Sequence, residues 1–116
     1  MVSPNYSAYY GATPTETQDT GSGSNVTLIA APGSGLRTVI HDLQLNSNGA
    51  TVFTLETTEG GSPVTRDYDL DGITPYNIEN WRLIVDDNTL VAFSTSVASI
   101  NTNISITTGQ QPITAV

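Results

Sequence analysis

Short apolar runs separated by turn residues follow one another along the chain from Asn25 onward. Several of these runs alternate apolar and polar positions, which is the period of a strand with one face in a core and the other in water. The pattern predicts about seven or eight antiparallel strands. They span roughly residues 26–31, 36–45, 51–57, 64–70, 82–85, 90–97 and 103–107, with a possible last strand near 112–115.

The alternation also predicts the core and, with the turn residues, the fold class. The side chains expected to face inward are Val39, Leu43, Leu45, Phe53, Leu55, Val91, Phe93, Val97, Ile104 and Ile106. Asn48-Gly49 is a strong signal for a type I′ hairpin, and residues 59–63 predict a wider loop. Every window of helical length contains Gly, Pro or a β-branched run, so the expected fold is all-β, a single antiparallel β-sandwich.

The N-terminal segment differs from the rest of the chain because it holds little aliphatic content and is rich in Ser, Thr, Gly and Pro. We expect it to form an extended N-terminal arm, residues 1–24, ahead of a β-sandwich domain, residues 25–116. Tyr6, Tyr9 and Tyr10 form an aromatic cluster on this arm, which is a tether onto a neighbouring subunit, a disordered terminus or a segment that packs against its own domain.

Charge and composition exclude several classes of function. The chain has 11 acidic residues against three arginines and no lysine, for a formal net charge of −8. A surface of this sign repels nucleic acid and anionic membranes, so neither is an expected partner. The chain has no cysteine, which removes disulfides and thiolate sites. The start of the sequence lacks the basic and apolar stretches of a signal peptide.

One motif resembles the first half of a calcium loop. Asp67, Asp69 and Asp71 alternate along the chain ahead of Gly72, but Ile78 stands where an EF-hand needs a bidentate glutamate. The three carboxylates are therefore only a weak candidate metal site. The simpler interpretation is three solvated side chains on the outer face of a strand, and no cofactor or metal is expected.

Two further residues are candidates for protein interfaces. His41 is the only histidine and shares the predicted strand register of Val39 and Leu43, which directs it inward or toward an interface. Trp81 follows Tyr76 and precedes Arg82, and it either caps the end of a sandwich, contacts another subunit or stacks on a sugar. No nucleophile motif or catalytic cleft is indicated, so an enzyme is not expected and no small-molecule substrate is predicted.

The stretches IHDLQLNSNGATVFTLE and GITPYNIENWRLIVDDNTLVAFS share a layout with a known group of proteins. A long apolar strand, a short turn and a Thr-rich strand are followed by a Pro-aromatic segment that runs into a tryptophan. This layout resembles the small β-sandwich structural proteins in the virions of tailed bacteriophages. The chain departs from their pattern beside Trp81, where Asn80 stands in place of glycine.

The resemblance implies a jelly-roll-like subunit that sits on an icosahedral capsid, often as a homotrimer, with a terminal arm on the shell. The expected function is therefore that of a capsid decoration or cement protein whose partner is the major capsid protein. Its expected location is the virion surface, after synthesis in the host cytoplasm without a signal peptide. The alternative is a carbohydrate-binding or adhesive module, in which Trp81 and Tyr76 stack on a sugar and Asp67, Asp69 and Asp71 hold calcium.

Overall fold

A computed structural model describes residues 15–113 of the chain, and these residues form nine strands. The strands are β1 (Thr15–Gly21), β2 (Val26–Ile29), β3 (Leu36–Ser47), β4 (Thr51–Glu59), β5 (Ser62–Leu70), β6 (Tyr76–Ile78), β7 (Leu83–Ile84), β8 (Val91–Thr95) and β9 (Thr102–Pro112). The described part of the chain contains no helix, and so none that could cross a membrane. The all-β prediction is confirmed, with more strands than expected.

The strands pair as one long hairpin that is folded over on itself. β1 pairs with β9, β2 with β8, β3 with both β6 and β7, and β4 with β5, always antiparallel. Two sheets result, in the orders β1-β9-β3-β6 with β7 also on β3, and β2-β8-β4-β5. We call them sheet A and sheet B. With β6 and β7 counted as one interrupted strand, this is the strand order of an eight-stranded jelly roll, so the predicted sandwich and its jelly-roll character are confirmed.

The core lies between the inner faces of the two sheets and is centred on two aromatic rings. Phe53 of β4 and Phe93 of β8 are fully buried and stack with their centroids 5.3 Å apart. Nine of the ten residues predicted to face inward are buried: Val39, Leu43, Leu45, Phe53, Leu55, Val91, Phe93, Ile104 and Ile106. The prediction is wrong for Val97, which is 38% exposed because β8 ends at Thr95.

The inward face of β3 changes register part of the way along the strand. The pairing of β3 with β9 shifts between Ile40 and Asp42, so His41 is the extra residue of a β-bulge. A bulge breaks the strict alternation of faces. Ile40 and Leu43 both pack in the central cluster, whereas Val39 is buried outside it. The predicted register, which placed Val39, His41 and Leu43 on one face, is therefore wrong across the bulge.

The boundary predicted between arm and domain also differs from the structure. Residues 15–21, assigned to the arm, form β1, which pairs with β9 over its whole length from Thr15↔Thr108 to Gly21↔Thr102. Such a polar segment joins the sheet because an edge strand needs backbone partners more than apolar side chains. The tyrosines Tyr6, Tyr9 and Tyr10 lie outside the described residues.

The tight hairpin falls at a different place from the one predicted. The turn between β4 and β5 has only Gly60 and Gly61 between paired ends, with φ of 61° and 80°. A type I′ turn requires positive φ at both of these positions. The carboxylate of Asp86 accepts hydrogen bonds from both glycine amides, at 2.9 and 2.7 Å. By contrast, Asn48-Gly49 connects β3 of sheet A to β4 of sheet B and is no hairpin.

Candidate functional surface

The bulge in β3 positions the segment that carries Trp81. The Trp81 amide donates to the carbonyl oxygen of His41 at 2.8 Å, and the Asn80 amide donates to Asp42 Oδ1 at 3.0 Å. Asn80 and Arg82, on either side of Trp81, have φ of 56° and 52°. These left-handed conformations interrupt the edge strand between β6 and β7. Asparagine tolerates this conformation better than most residues, which suits Asn80 to this position.

His41 is a positioning residue in this arrangement. Its side chain is only 6% exposed, and its backbone holds the Trp81 segment. Little of the imidazole is available to a second chain. Of the two predictions for His41, a buried side chain therefore fits its surroundings better than a direct contact with another subunit.

Trp81 closes the open side of the sandwich, between the edge strands of the two sheets. It is half-buried and packs against the hydrophobic core. The Arg66 guanidinium of β5 lies 5.5 Å from the centroid of its ring. This distance is that of a cation–π contact. Arg66 in turn binds the Glu59 carboxylate through both terminal nitrogens, at 2.6 and 3.0 Å, and Thr57 donates a further hydrogen bond to Glu59.

The ion pair changes how these groups titrate. The hydrogen bonds from Arg66, reinforced by Thr57, hold the pKa of Glu59 below its ordinary value against the opposing effect of burial. A carboxyl whose pKa is lower in the folded than in the unfolded chain stabilises the fold above its unfolded pKa. That stabilisation is lost as the pH falls through the folded pKa.

We therefore expect Arg66→Met to reduce the loss of stability in acid. The wild-type free energy of unfolding should fall between about pH 6 and about pH 3, partly through Glu59, and the variant should show a smaller fall because its Glu59 has no cation. Urea denaturation at both pH values measures this. Arg37→Met is the control, since Arg37 bonds the neutral amide oxygen of Gln111 at 2.7 Å. If the free energy of unfolding of Arg66→Met falls between the two pH values as much as that of wild type, Arg66 does not lower the pKa of Glu59.

Tyr76 forms a separate aromatic contact on the same side. Its ring lies 4.9 Å from that of Tyr68, at an interplanar angle of 48°. Tyr76 is exposed, whereas Tyr68 is nearly buried, and burial raises the pKa of the Tyr68 phenol. Tyr76 pairs with Leu45 of β3, whereas Trp81 is bonded to His41. Positions 41 and 45 of one strand are separated by about 13 Å at the usual rise per residue. Tyr76 and Trp81 are therefore held by different parts of β3, and each ring packs on a different side chain of β5.

Two of the three aspartates of the possible calcium motif, Asp67 and Asp71, have separate roles. Asp67 Oδ1 accepts from the Thr54 hydroxyl at 2.7 Å on the outer face of sheet B. Asp71 Oδ1 accepts from the amides of Ile73 and Thr74, at 2.8 and 2.7 Å, and these bonds lower its pKa. Within residues 15–113 no three His, Cys, Asp or Glu side chains are grouped as a metal site requires. The candidate of Asp67, Asp69 and Asp71 gains no support.

The feature that sequence reasoning missed is a group of apolar side chains, most of them exposed, on one sheet edge and in the loop before it. β6 and β7 form the outer edge of sheet A, where Tyr76 and Ile84 are 41% and 39% exposed, and Ile73, in the loop before β6, is 85% exposed. Tyr76 pairs with Leu45 and Ile84 with Val39, so these two side chains lie on opposite faces at the edge. We call Ile73, Tyr76, Trp81 and Ile84 the β6–β7 rim. Periodicity could not find it, because β6 and β7 are only three and two residues long.

Comparisons with known proteins leave the family open. A scan of the sequence against protein-family models finds no match, and a search among curated proteins finds none.

Proposed function

We propose that this chain is a structural protein of a virion, a decoration or cement subunit that binds the outer capsid surface and stabilises it. Its partner is the major capsid protein, and its working form is a homotrimer on a bacteriophage head. The proposal continues the resemblance of the sequence to small virion β-sandwich proteins. A jelly roll is one of the folds that virus particles use, although the same fold also carries lectins.

The observation that carries the proposal is the β6–β7 rim. Tryptophan and tyrosine are residues that protein interfaces favour at their centre, and exposed apolar patches mark sites of interaction with other proteins. In the rim they lie on a sheet edge and in the loop before it, supported by the Trp81 contact with Arg66. A surface of this composition fits adhesion to another protein better than chemistry on a small molecule.

The position of the N-terminal segment supports the same interpretation. β1 is the edge strand of sheet A opposite to the edge that carries the rim. Residues 1–14, with Tyr6, Tyr9 and Tyr10, precede β1 in the sequence. A subunit with one contact at each edge can join two neighbours on a shell, and several weak contacts repeated by symmetry produce strong attachment.

The carbohydrate-binding alternative depended on Trp81 and Tyr76 acting together. Each ring already packs on another side chain, Trp81 with Arg66 and Tyr76 with Tyr68. With both rings already engaged by other side chains, adhesion to a capsid is preferred.

The test is rebinding of purified protein to native virus particles from which it has been removed. We expect wild-type protein to restore ordered density on the capsid. Ile84→Ser should bind about tenfold or more weakly, because truncating a central interface residue costs roughly 1–3 kcal/mol. Deletion of residues 1–14 should also weaken binding, and it leaves β1 intact, unlike a deletion that extends to residue 24.

Val97→Ser is the matched control for the rim variant. Val97 is 38% exposed, close to the 39% of Ile84, but it lies outside the rim. If Ile84→Ser and Val97→Ser bind the virus particles equally well, the β6–β7 rim is not part of the interface with the capsid. Native particles that contain none of this protein would overturn the proposed function.

A further inference from the structure

A groove of about 690 Å³ crosses the outer face of sheet B, away from the β6–β7 rim. All four strands of the sheet contribute to it, and its lining includes Asn25, Thr27, Glu56, Thr65, Leu90 and Ala92. Four adjacent strands span three gaps, which is about 14 Å at the usual strand spacing. A groove of this length holds about four residues of an extended peptide.

One carboxylate is fixed at the middle of the groove. Glu56 of β4 accepts a hydrogen bond from the Ser94 hydroxyl of β8 at 2.7 Å. The side-chain amide of Asn25, oriented with its nitrogen toward the carboxylate, lies 2.9 and 3.2 Å from the two oxygens of Glu56. Both donors are neutral, so they orient the carboxylate without cancelling its charge.

The residues around Glu56 determine which ligand fits. The described lining contains no Lys, Arg or His, so the negative charge of the groove has no counterpart within it. Apolar side chains stand beside the carboxylate, those of Ala92 and Leu90, the latter 45% exposed. A Lys or Arg side chain has both matching parts, an aliphatic stem and a charged head.

Two other occupants match the groove less well. A sugar usually stacks on an aromatic ring, and the lining formed by the described residues has none. A second copy of this chain is a poor source of cations, because the sequence has no lysine and only three arginines. Two of these, Arg66 and Arg37, already bond Glu59 and Gln111.

We propose that this groove is a binding site for an extended basic segment of a partner protein, with one Lys or Arg side chain seated on Glu56. The identification of the partner as the capsid protein rests on the proposed function. The inference adds to that function the chemistry of the capsid segment that binds. The contact is a charge-assisted hydrogen bond to a half-buried carboxylate, so it discriminates between charged and neutral segments.

The test is a titration of the full chain with a seven-residue peptide of alternating arginine and valine with blocked ends, followed by fluorescence anisotropy. We expect wild-type protein to bind the peptide and Glu56→Gln to bind it about tenfold more weakly. Glu16→Gln is the matched control and should bind like wild type. Glu16 also accepts a serine hydroxyl at 2.7 Å, from Ser105, but on sheet A.

Three results would overturn the inference. They are equal binding by wild type and Glu56→Gln, equal weakening in Glu56→Gln and Glu16→Gln, and Glu56-dependent binding of a neutral oligosaccharide in place of the peptide. The second result would mean that the weaker binding comes from the change in net charge of the protein and not from the position of Glu56. The titration uses no capsid, so it still tests the groove if native particles prove to lack the protein. A negative titration, in turn, does not change the result expected from the rebinding experiment on the β6–β7 rim.

Discussion

Phe53→Ala is expected to lower the free energy of unfolding by about 3–5 kcal/mol, the usual cost of removing a large aromatic side chain from a packed core. Phe53 is fully buried, and its ring stacks on Phe93 across strands β4 and β8. The substitution removes this stacking and leaves a cavity at the centre of the sandwich. Since a domain of this kind has about 5–15 kcal/mol in total, much of its stability would be lost.

Urea denaturation followed by tyrosine and tryptophan fluorescence measures the change. Ile73→Ala is the control for loss of an apolar side chain without a cavity, because Ile73 is 85% exposed. It should change stability by less than about 0.5 kcal/mol. A loss below about 1.5 kcal/mol for Phe53→Ala would contradict the central position of the ring.

Gly72→Ala is expected to destabilise the fold by about 2–5 kcal/mol, from two separate causes. Gly72 has φ of 85°. This left-handed conformation costs an L-residue about 1–2 kcal/mol. A Cβ at this position would also stand 2.7 Å from the Cα of Gly49 and 2.8 Å from its nitrogen. Backbone atoms cannot yield as a flexible side chain does, and forced overpacking costs about 1–3 kcal/mol more.

Gly35→Ala separates the two causes. Gly35 has nearly the same φ, 83°, but nothing lies within 4 Å of the Cβ that alanine would add. It should therefore lose only the conformational part, about 1–2 kcal/mol. Chemical denaturation of both variants gives the contribution of the contact between residues 49 and 72 by difference. If the two variants lose the same stability, the close approach of these two segments is not a constraint on the fold.

The candidate surfaces show how far sequence patterns reach toward a site. Trp81 was identifiable from its type and its neighbours, and the structure places it at the open side of the sandwich against the core. Its contact with Arg66 was not predictable, because Trp81 lies between β6 and β7 at the edge of sheet A, whereas Arg66 lies on the edge strand of sheet B. The groove around Glu56 was missed for the same reason. Asn25, Glu56 and Ser94 lie on or beside three different strands, and only the order β2-β8-β4 brings them together.

The hairpin signals show a similar division. Asn48-Gly49 has the composition of a type I′ turn, yet the turn of that type is at Gly60-Gly61. Local composition states which conformations a segment tolerates. Whether two strands pair directly depends on the sheet to which each belongs, and β3 and β4 belong to different sheets. The asparagine and glycine at 48 and 49 instead lie where three connections meet, with Asn48 and Asn101 bonded to each other in both directions.

The sequence by itself determined the all-β class, the absence of helix from the described domain, the positions of the long strands and eight of the thirteen buried residues of the central core cluster. These features follow from side-chain periodicity, which is a local property: burial on one face requires an apolar residue at every second position. The tertiary structure decided the jelly-roll pairing, the bulge at His41, the incorporation of residues 15–21 into sheet A, the β6–β7 rim and the groove on sheet B. Each of these depends on which distant strands become neighbours. That choice is made by the summed packing of both sheets, which no single segment encodes.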